Sequence, residues 1–129
     1  MRIFLTGGTG FIGSYVLAAA LAAGHEVLAL RRSSASAPVI PLSPRQPRWC
    51  EGDLASLQAS QLQGIDAVLH LASAGVSPKP ASWSQLMQAN VAGSLRLLEL
   101  AAAAGVRRCV VAGSSHEYGN DARRYEAIP

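Results

Sequence analysis

Apolar residues come in short runs along this chain, separated by glycine- and proline-rich turns and by longer alanine-rich stretches. The run from Met1 to Leu5 ends in a glycine cluster and predicts a first strand feeding a tight turn. Phe11 to Ala23 has good helix propensity, and Gly24 supplies the stop. Val27 to Leu30 predicts a second strand. From Ser33 to Arg48 the chain carries four prolines (Pro38, Pro41, Pro44, Pro47) and four serines, which predicts an irregular connection. A short third strand is expected over Arg48 to Glu51. Asp53 to Leu62 fits a brief helix opened by an acidic residue. Ala67 to Leu71 is unbroken apolar, the mark of a strand buried on both faces. Ser73 to Ala81 contains Gly75, Pro78 and Pro80 and predicts a loop. Ser82 and Gln85 form a capping box at the start of a long helix that runs to about Ala104 and stops at Gly105. Arg108 to Ala112 predicts a fifth strand, and the remainder is polar and loop-like.

Strands alternating with crossovers of this length require a parallel sheet with helices on both faces. The chain has 129 residues, half of them apolar, 15% charged and 5% aromatic, which fits one globular domain and excludes a disordered or fibrous chain. The formal charge of +3 is spread over separated pairs such as Arg31-Arg32 and Arg107-Arg108, with almost no aromatics between them. That distribution argues against a nucleic-acid surface. Cys50 and Cys109 are in no metal-binding spacing, each within an apolar run, and read as reduced core thiols of a cytoplasmic protein. Arg2 and the apolar residues after it imitate a secretory signal, but Thr6 to Gly10 interrupts them. No stretch has the length a bilayer span needs, so no membrane association is expected.

The strongest chemical signal is Thr6-Gly7-Gly8-Thr9-Gly10-Phe11-Ile12-Gly13, set between the first strand and the first helix. Gly7 permits the tight turn, Gly10 lets backbone approach a pyrophosphate, and Gly13 allows close packing of helix on sheet. The helix start then offers free N–H groups and a positive dipole end to phosphates. A purely structural turn is the simpler alternative, and the strand–turn–helix context favours dinucleotide binding over it.

The spacing Gly-x-x-Gly-x-x-Gly, together with five segments further along the chain, resembles the extended short-chain dehydrogenases/reductases, the NAD(P)-dependent sugar epimerases and dehydratases. Gly24-His25-Glu26-Val27 is similar to that family's entry into the second strand. Glu51-Gly52-Asp53-Leu54 resembles its Gly-Asp-Leu after the third. Asp66 to Ala72 matches the segment lining the nicotinamide side, Asn90-Val91-Ala92-Gly93-Ser94 a motif on the long helix, and Gly113 to Gly119 a Ser-Ser-x-x-x-Tyr-Gly segment after the fifth strand. Six motifs stand in the family's order over nearly the whole chain. The resemblance implies a Rossmann-type doubly wound sheet, five strands in the order 3-2-1-4-5. It implies cofactor contacts from Gly7, Gly10, Phe11, Ile12, Gly13, Asp53, Leu54, Leu71, Ala72, Ser73 and Asn90. Asp53 would meet the adenine amino group, though it also fits as a cap of the following turn. Asn90 would steady the active-site loops. His25 reads as a surface turn residue, His70 as packed or cofactor-adjacent rather than metal-ligating, and Tyr118 as packing at the site mouth. No metal site is expected.

Enzymes of this resemblance use a Ser or Thr with a Tyr-x-x-x-Lys pair, because an ammonium beside the phenol lowers its pKa toward neutrality. Ser114 stands at the Ser/Thr position. Tyr15, Tyr118 and Tyr125 are followed at the fourth place by Ala19, Ala122 and Pro129, and the only lysine, Lys79, lies in a proline-rich loop. Residues 1–129 are therefore expected to be the dinucleotide-binding domain of a nucleotide-sugar epimerase or reductase, lacking the later part of the fold and the substrate domain, and inactive alone. A catalytically silent dinucleotide-binding or regulatory module is the alternative. Ser115 and His116 stand where 4,6-dehydratases carry an acidic pair, which argues against that reaction.

At the end of the second strand stand Arg31, Arg32, Ser33 and Ser34, where NAD-selective proteins place a carboxylate. With Glu26 at the strand's beginning, no carboxylate is expected nearby. An Arg fork suits a 2′-phosphate, so NADP(H) is expected ahead of NAD(H). The alternative is that both arginines simply face solvent. The expected partners are the dinucleotide and, for the parent enzyme, a nucleotide sugar, with room for a homodimer.

Overall fold

The computed structural model describes residues 1–42, 44–76, 80–114, 117 and 119. Five parallel strands form one sheet in the order β3-β2-β1-β4-β5, as expected. They are β1 (Arg2–Thr6), β2 (Glu26–Arg31), β3 (Arg48–Glu51), β4 (Ala67–His70) and β5 (Arg108–Val111). Strand β1 is central: Ile3 pairs with Val27 on one side and with Ala67 on the other.

Alternation along β1 divides the core between the two faces of the sheet. Phe4 joins Leu30, Leu57, Leu62, Ile65, Val68, Leu97 and Ala101 on one side. Leu5 joins Leu17, Leu21, Val27 and Ala29 on the other, under helix α1 (Phe11–Ala22). Gly24, with φ +80°, ends α1 as expected. Among the described residues no helix is long and apolar enough to cross a membrane.

Four expectations change. The helix expected over Asp53 to Leu62 is instead a turn at 53–56 followed by a single 3-10 turn, Ala59–Leu62. Asp53 and Ser56 bond each other's backbone N–H groups and close the chain before a helix can propagate. The long helix begins at Trp83 under the expected Ser82–Gln85 capping box, but it is not uniform. An α-helical turn α2 (Trp83–Leu86) passes into a wide π segment (Met87–Ala92) and then into α3 (Gly93–Ala103), with helical dihedrals at each junction. Strand β4 stops at His70, one residue early. Cys50 is half-buried and packs against the Phe4 side of the core, but Cys109 is exposed and is no core thiol; all four residues of β5, the edge strand beyond β4, are exposed.

Candidate functional site

The carboxyl ends of β1 and β4 lie side by side, and the chain leaves them toward opposite faces of the sheet. In open α/β sheets this point of reversed strand order is where ligands bind. Here it is built mostly from backbone. Gly7 has φ +77°, and a Cβ on it would lie 2.6 Å from the carbonyl carbon of Leu71. A Cβ on Gly13 would lie 2.0 Å from the carbonyl oxygen of Gly7. Two glycines thus let the β1–α1 turn, the loop after β4 and the first turn of α1 touch. Gly10 donates its N–H to Gly7 at 2.9 Å and precedes α1 without a side-chain cap. The first N–H groups of α1 therefore keep the positive helix end facing outward. Beside it Phe11 and Ile12 are exposed, Phe11 edge-on to Tyr15. This uncapped turn fits a dinucleotide pyrophosphate.

Buried hydroxyls fix the turn from beneath. Ser14 donates to the carbonyl of Gly10 at 2.7 Å and accepts the N–H of Val39 at 3.0 Å, tying the proline-rich loop to α1. Thr6 Oγ1 accepts the N–H of Ala72 at 3.2 Å and lies 2.6 Å from Nδ1 of His70. His70 Nε2 lies 2.8 Å from Ser94 Oγ on α3. The imidazole thus bridges two hydroxyls, one ring nitrogen donating and the other accepting in its neutral form. Burial pushes the His70 pKa down, as a neutral bridging imidazole requires. The reading of His70 as a packed residue agrees with this position. Thr6 heads the glycine motif, but neither its hydroxyl nor that of Ser14 carries a signal of its own in the sequence.

The loop after β4 is held from the other side by the π segment. Asn90 Oδ1 accepts the N–H of Ala74 at 2.8 Å, and its Nδ2 donates to the Ala74 carbonyl at 3.1 Å. Ser73 adds a longer bond to Asn90 at 3.4 Å. The side-chain amide thus replaces a strand partner for one residue of the loop. Leu71 and Ala72 are half-buried at the head of this loop and Ser73 is exposed. Leu54 is half-buried and packs toward Gly93. The Asp53 carboxylate accepts the N–H of Ser56 at 2.8 Å, and bonds from Ser56 hold its pKa below the usual range. Its role as a turn cap is therefore present, on an exposed carboxylate.

The far edge corrects the expectation about charge. Parallel pairing sets Arg31 opposite Glu51, and the guanidinium donates to Glu51 at 2.9 Å. It also lies 4.9 Å from the centre of the Trp49 ring. A carboxylate does stand beside Arg31, and Arg31 is not simply solvent-facing. The twenty-residue separation hid the pair, because only strand register brings the two together. Arg32, Ser33 and Ser34 are exposed.

Ser114 follows β5, is exposed and accepts the N–H of Glu117 at its carbonyl, 3.1 Å away. Lys79, Ser115, His116 and Tyr118 lie outside the described residues. Among the described residues no cluster of His, Cys, Asp or Glu is assembled to hold a metal.

Comparison with known proteins fits this geometry. Residues 3–129 match the sequence profile of the NAD dependent epimerase/dehydratase family. A UDP-glucose 4-epimerase of Klebsiella pneumoniae is 32% identical over 130 residues, covering 93% of this chain and 94% of that sequence. The dTDP-6-deoxy-L-talose 4-dehydrogenase (NAD(P)(+)) of Kitasatospora kifunensis is 36% identical, and the chain spans 36% of its length. The structure of MoeE5 in complex with UDP-glucose and NAD superposes with a TM-score of 0.77 at 36% identity, over 92% of this chain and 38% of that one. A glycine corner at the switch point, an amide clamp on the loop beside it and a match over almost every residue lead to one conclusion: the chain belongs to the NAD-dependent epimerase/dehydratase family.

Proposed function

We propose that this chain is the dinucleotide-binding part of an enzyme that epimerises or reduces a nucleotide sugar. The observation that carries the reading is the corner made by Gly7 and Gly13, which brings an uncapped helix start to the sheet's switch point. Gly7, Gly10, Phe11, Ile12 and Gly13 would hold the pyrophosphate side. Leu71, Ala72 and Ser73, braced by Asn90, would border the nicotinamide, and Asp53 with Leu54 the adenine. When bound, the nicotinamide supplies hydride transfer at a sugar carbon. Ser114 would donate a hydrogen bond to the reacting sugar oxygen. No tyrosine of the chain has a lysine four places on, so these residues account for binding and orientation rather than for the acid–base pair. Ser115 and His116, in place of an acidic pair, favour epimerisation or ketone reduction over 4,6-dehydration.

The proposed cofactor is NADP(H) ahead of NAD(H). Exposed Arg32, Ser33 and Ser34 and the Arg31 guanidinium gather donors at the end of β2, and Arg31 Nε is buried without a partner. An orphaned donor of that kind is costly unless an acceptor arrives. We assign the protein to the cytoplasm, where Cys50 and Cys109 remain free thiols. Calorimetric titration with NADH and NADPH tests the reading. Saturable binding of both, tighter for NADPH, is expected; binding of neither overturns it.

A further inference from the structure

At the ends of β2 and β3, three side chains from two strands form one unit. Arg31 donates to Glu51 at 2.9 Å, and its guanidinium lies 4.9 Å from the Trp49 ring centre. The Arg31 side chain is only 18% exposed, whereas that of Glu51 is 52% exposed. The arginine is therefore held in place by the protein, and the carboxylate sits at the solvent side of the pair. The other carboxylates nearby are engaged elsewhere: Glu26, at the opposite end of β2, lies 3.7 Å from Arg2, and Asp53 caps its own turn through Ser56. Glu51 alone neutralises Arg31 among the described residues.

We propose that Glu51 sets the preference of this protein between NADP(H) and NAD(H) by occupying Arg31. This rests on the reading of the site as a nicotinamide-dinucleotide site. A 2′-phosphate carries up to two negative charges and needs the guanidinium that Glu51 already holds. A ribose 2′-hydroxyl carries no charge and is indifferent to that competition. Glu51 thus lowers selection for the phosphate that Arg31, Arg32 and Ser33 otherwise favour. Trp49 keeps the guanidinium in place while its partner changes, since stacking and bidentate bonding use different parts of the group.

The test is a cycle of Glu51→Gln, Arg31→Ala and the double variant, with NADH and NADPH affinities measured by calorimetry at low and at physiological salt. Glutamine keeps the size of glutamate and an oxygen that accepts from Arg31, so a purely positional role survives the change. Loss of charge should raise NADPH affinity relative to NADH about fivefold at low salt, less at physiological salt. In the Arg31→Ala background the same substitution should move the ratio by less than about twofold. An unchanged ratio in Glu51→Gln, with both forms still bound, overturns the assignment to Glu51 alone. An equal shift with and without Arg31 also overturns it, because the carboxylate would then act without the guanidinium. Failure of the unsubstituted protein to bind either dinucleotide ends the reading of the site itself, and this inference with it.

Discussion

The two ends of the proposed site are held by different physics. At the β1–α1 corner, backbone meets backbone: Gly7 against Leu71, Gly13 against Gly7. At the β2–β3 edge, charged and aromatic side chains meet across a strand pair: Arg31, Trp49 and Glu51. The corner presents N–H groups and a helix dipole, which every dinucleotide pyrophosphate satisfies equally. The edge presents a charge balance, which a 2′-phosphate and a 2′-hydroxyl satisfy differently. Rigid backbone provides binding without discrimination, and adjustable side chains provide discrimination at little structural cost. Substitutions should therefore separate into those that abolish the site and those that retune it.

Gly13→Ala sharpens the contrast most. A methyl 2.0 Å from the Gly7 oxygen has no room, and the obstructing atom is backbone. The expected cost is about 3 kcal/mol of stability with loss of both NADH and NADPH binding, read by urea denaturation and calorimetry. Near-wild-type binding would show that the corner yields.

Asn90→Ala should come next. It leaves the N–H of Ala74 without its partner and the Ala74 carbonyl with only a longer bond from Ser73 at 3.3 Å, a loss of about 2 kcal/mol with hydrogen exchange accelerated at Ala74. Asn90→Asp should restore only the bond from the Ala74 N–H, since a carboxylate cannot donate to the carbonyl.

His70 gives a pH dependence whose sign is set by its burial. In the unfolded chain it takes up a proton near pH 6.5, whereas burial keeps the folded imidazole neutral to lower pH. The unfolded state then binds more protons in that window, so stability should decline as pH falls below about 6.5 and level off once folded His70 is also protonated. Denaturation midpoints of the protein and of His70→Gln, compared at pH 7.5 and 5, should diverge less at the acidic end. Parallel curves would remove His70 from the account.

Arg32→Asn should have the smallest structural effect. An exposed residue at a strand end should change stability by no more than about 0.5 kcal/mol, while NADPH binding weakens relative to NADH. A large stability loss would place this edge among the rigid parts.

The same division explains what could be read from the chain. The sheet and its order were legible because apolar runs, glycine stops and a family-like motif order all agree from Met1 to Gly105. The corner was legible because only glycine meets its steric demand. Glu51 was missed because strand register, not sequence distance, makes it the neighbour of Arg31. The exposure of Cys109 was missed because an apolar run gives no sign that its strand lies at a sheet edge. The π segment was missed because Met87 to Ala92 has ordinary helical composition; its hydrogen bonds shift by one residue with no proline or glycine to announce it.

That wide segment works as a rotational spacer between two anchors. Downstream, Leu97 and Ala101 fix the phase of the helix against the sheet; upstream, Asn90 must point at Ala74. Closing this segment to an ordinary α-helix at unchanged length would turn everything before it relative to everything after it, because an α turn takes fewer residues than a π turn. The clamp and the core could not both stay engaged. A relative one residue shorter at this point should therefore run as a plain α-helix and still engage both the loop and the core.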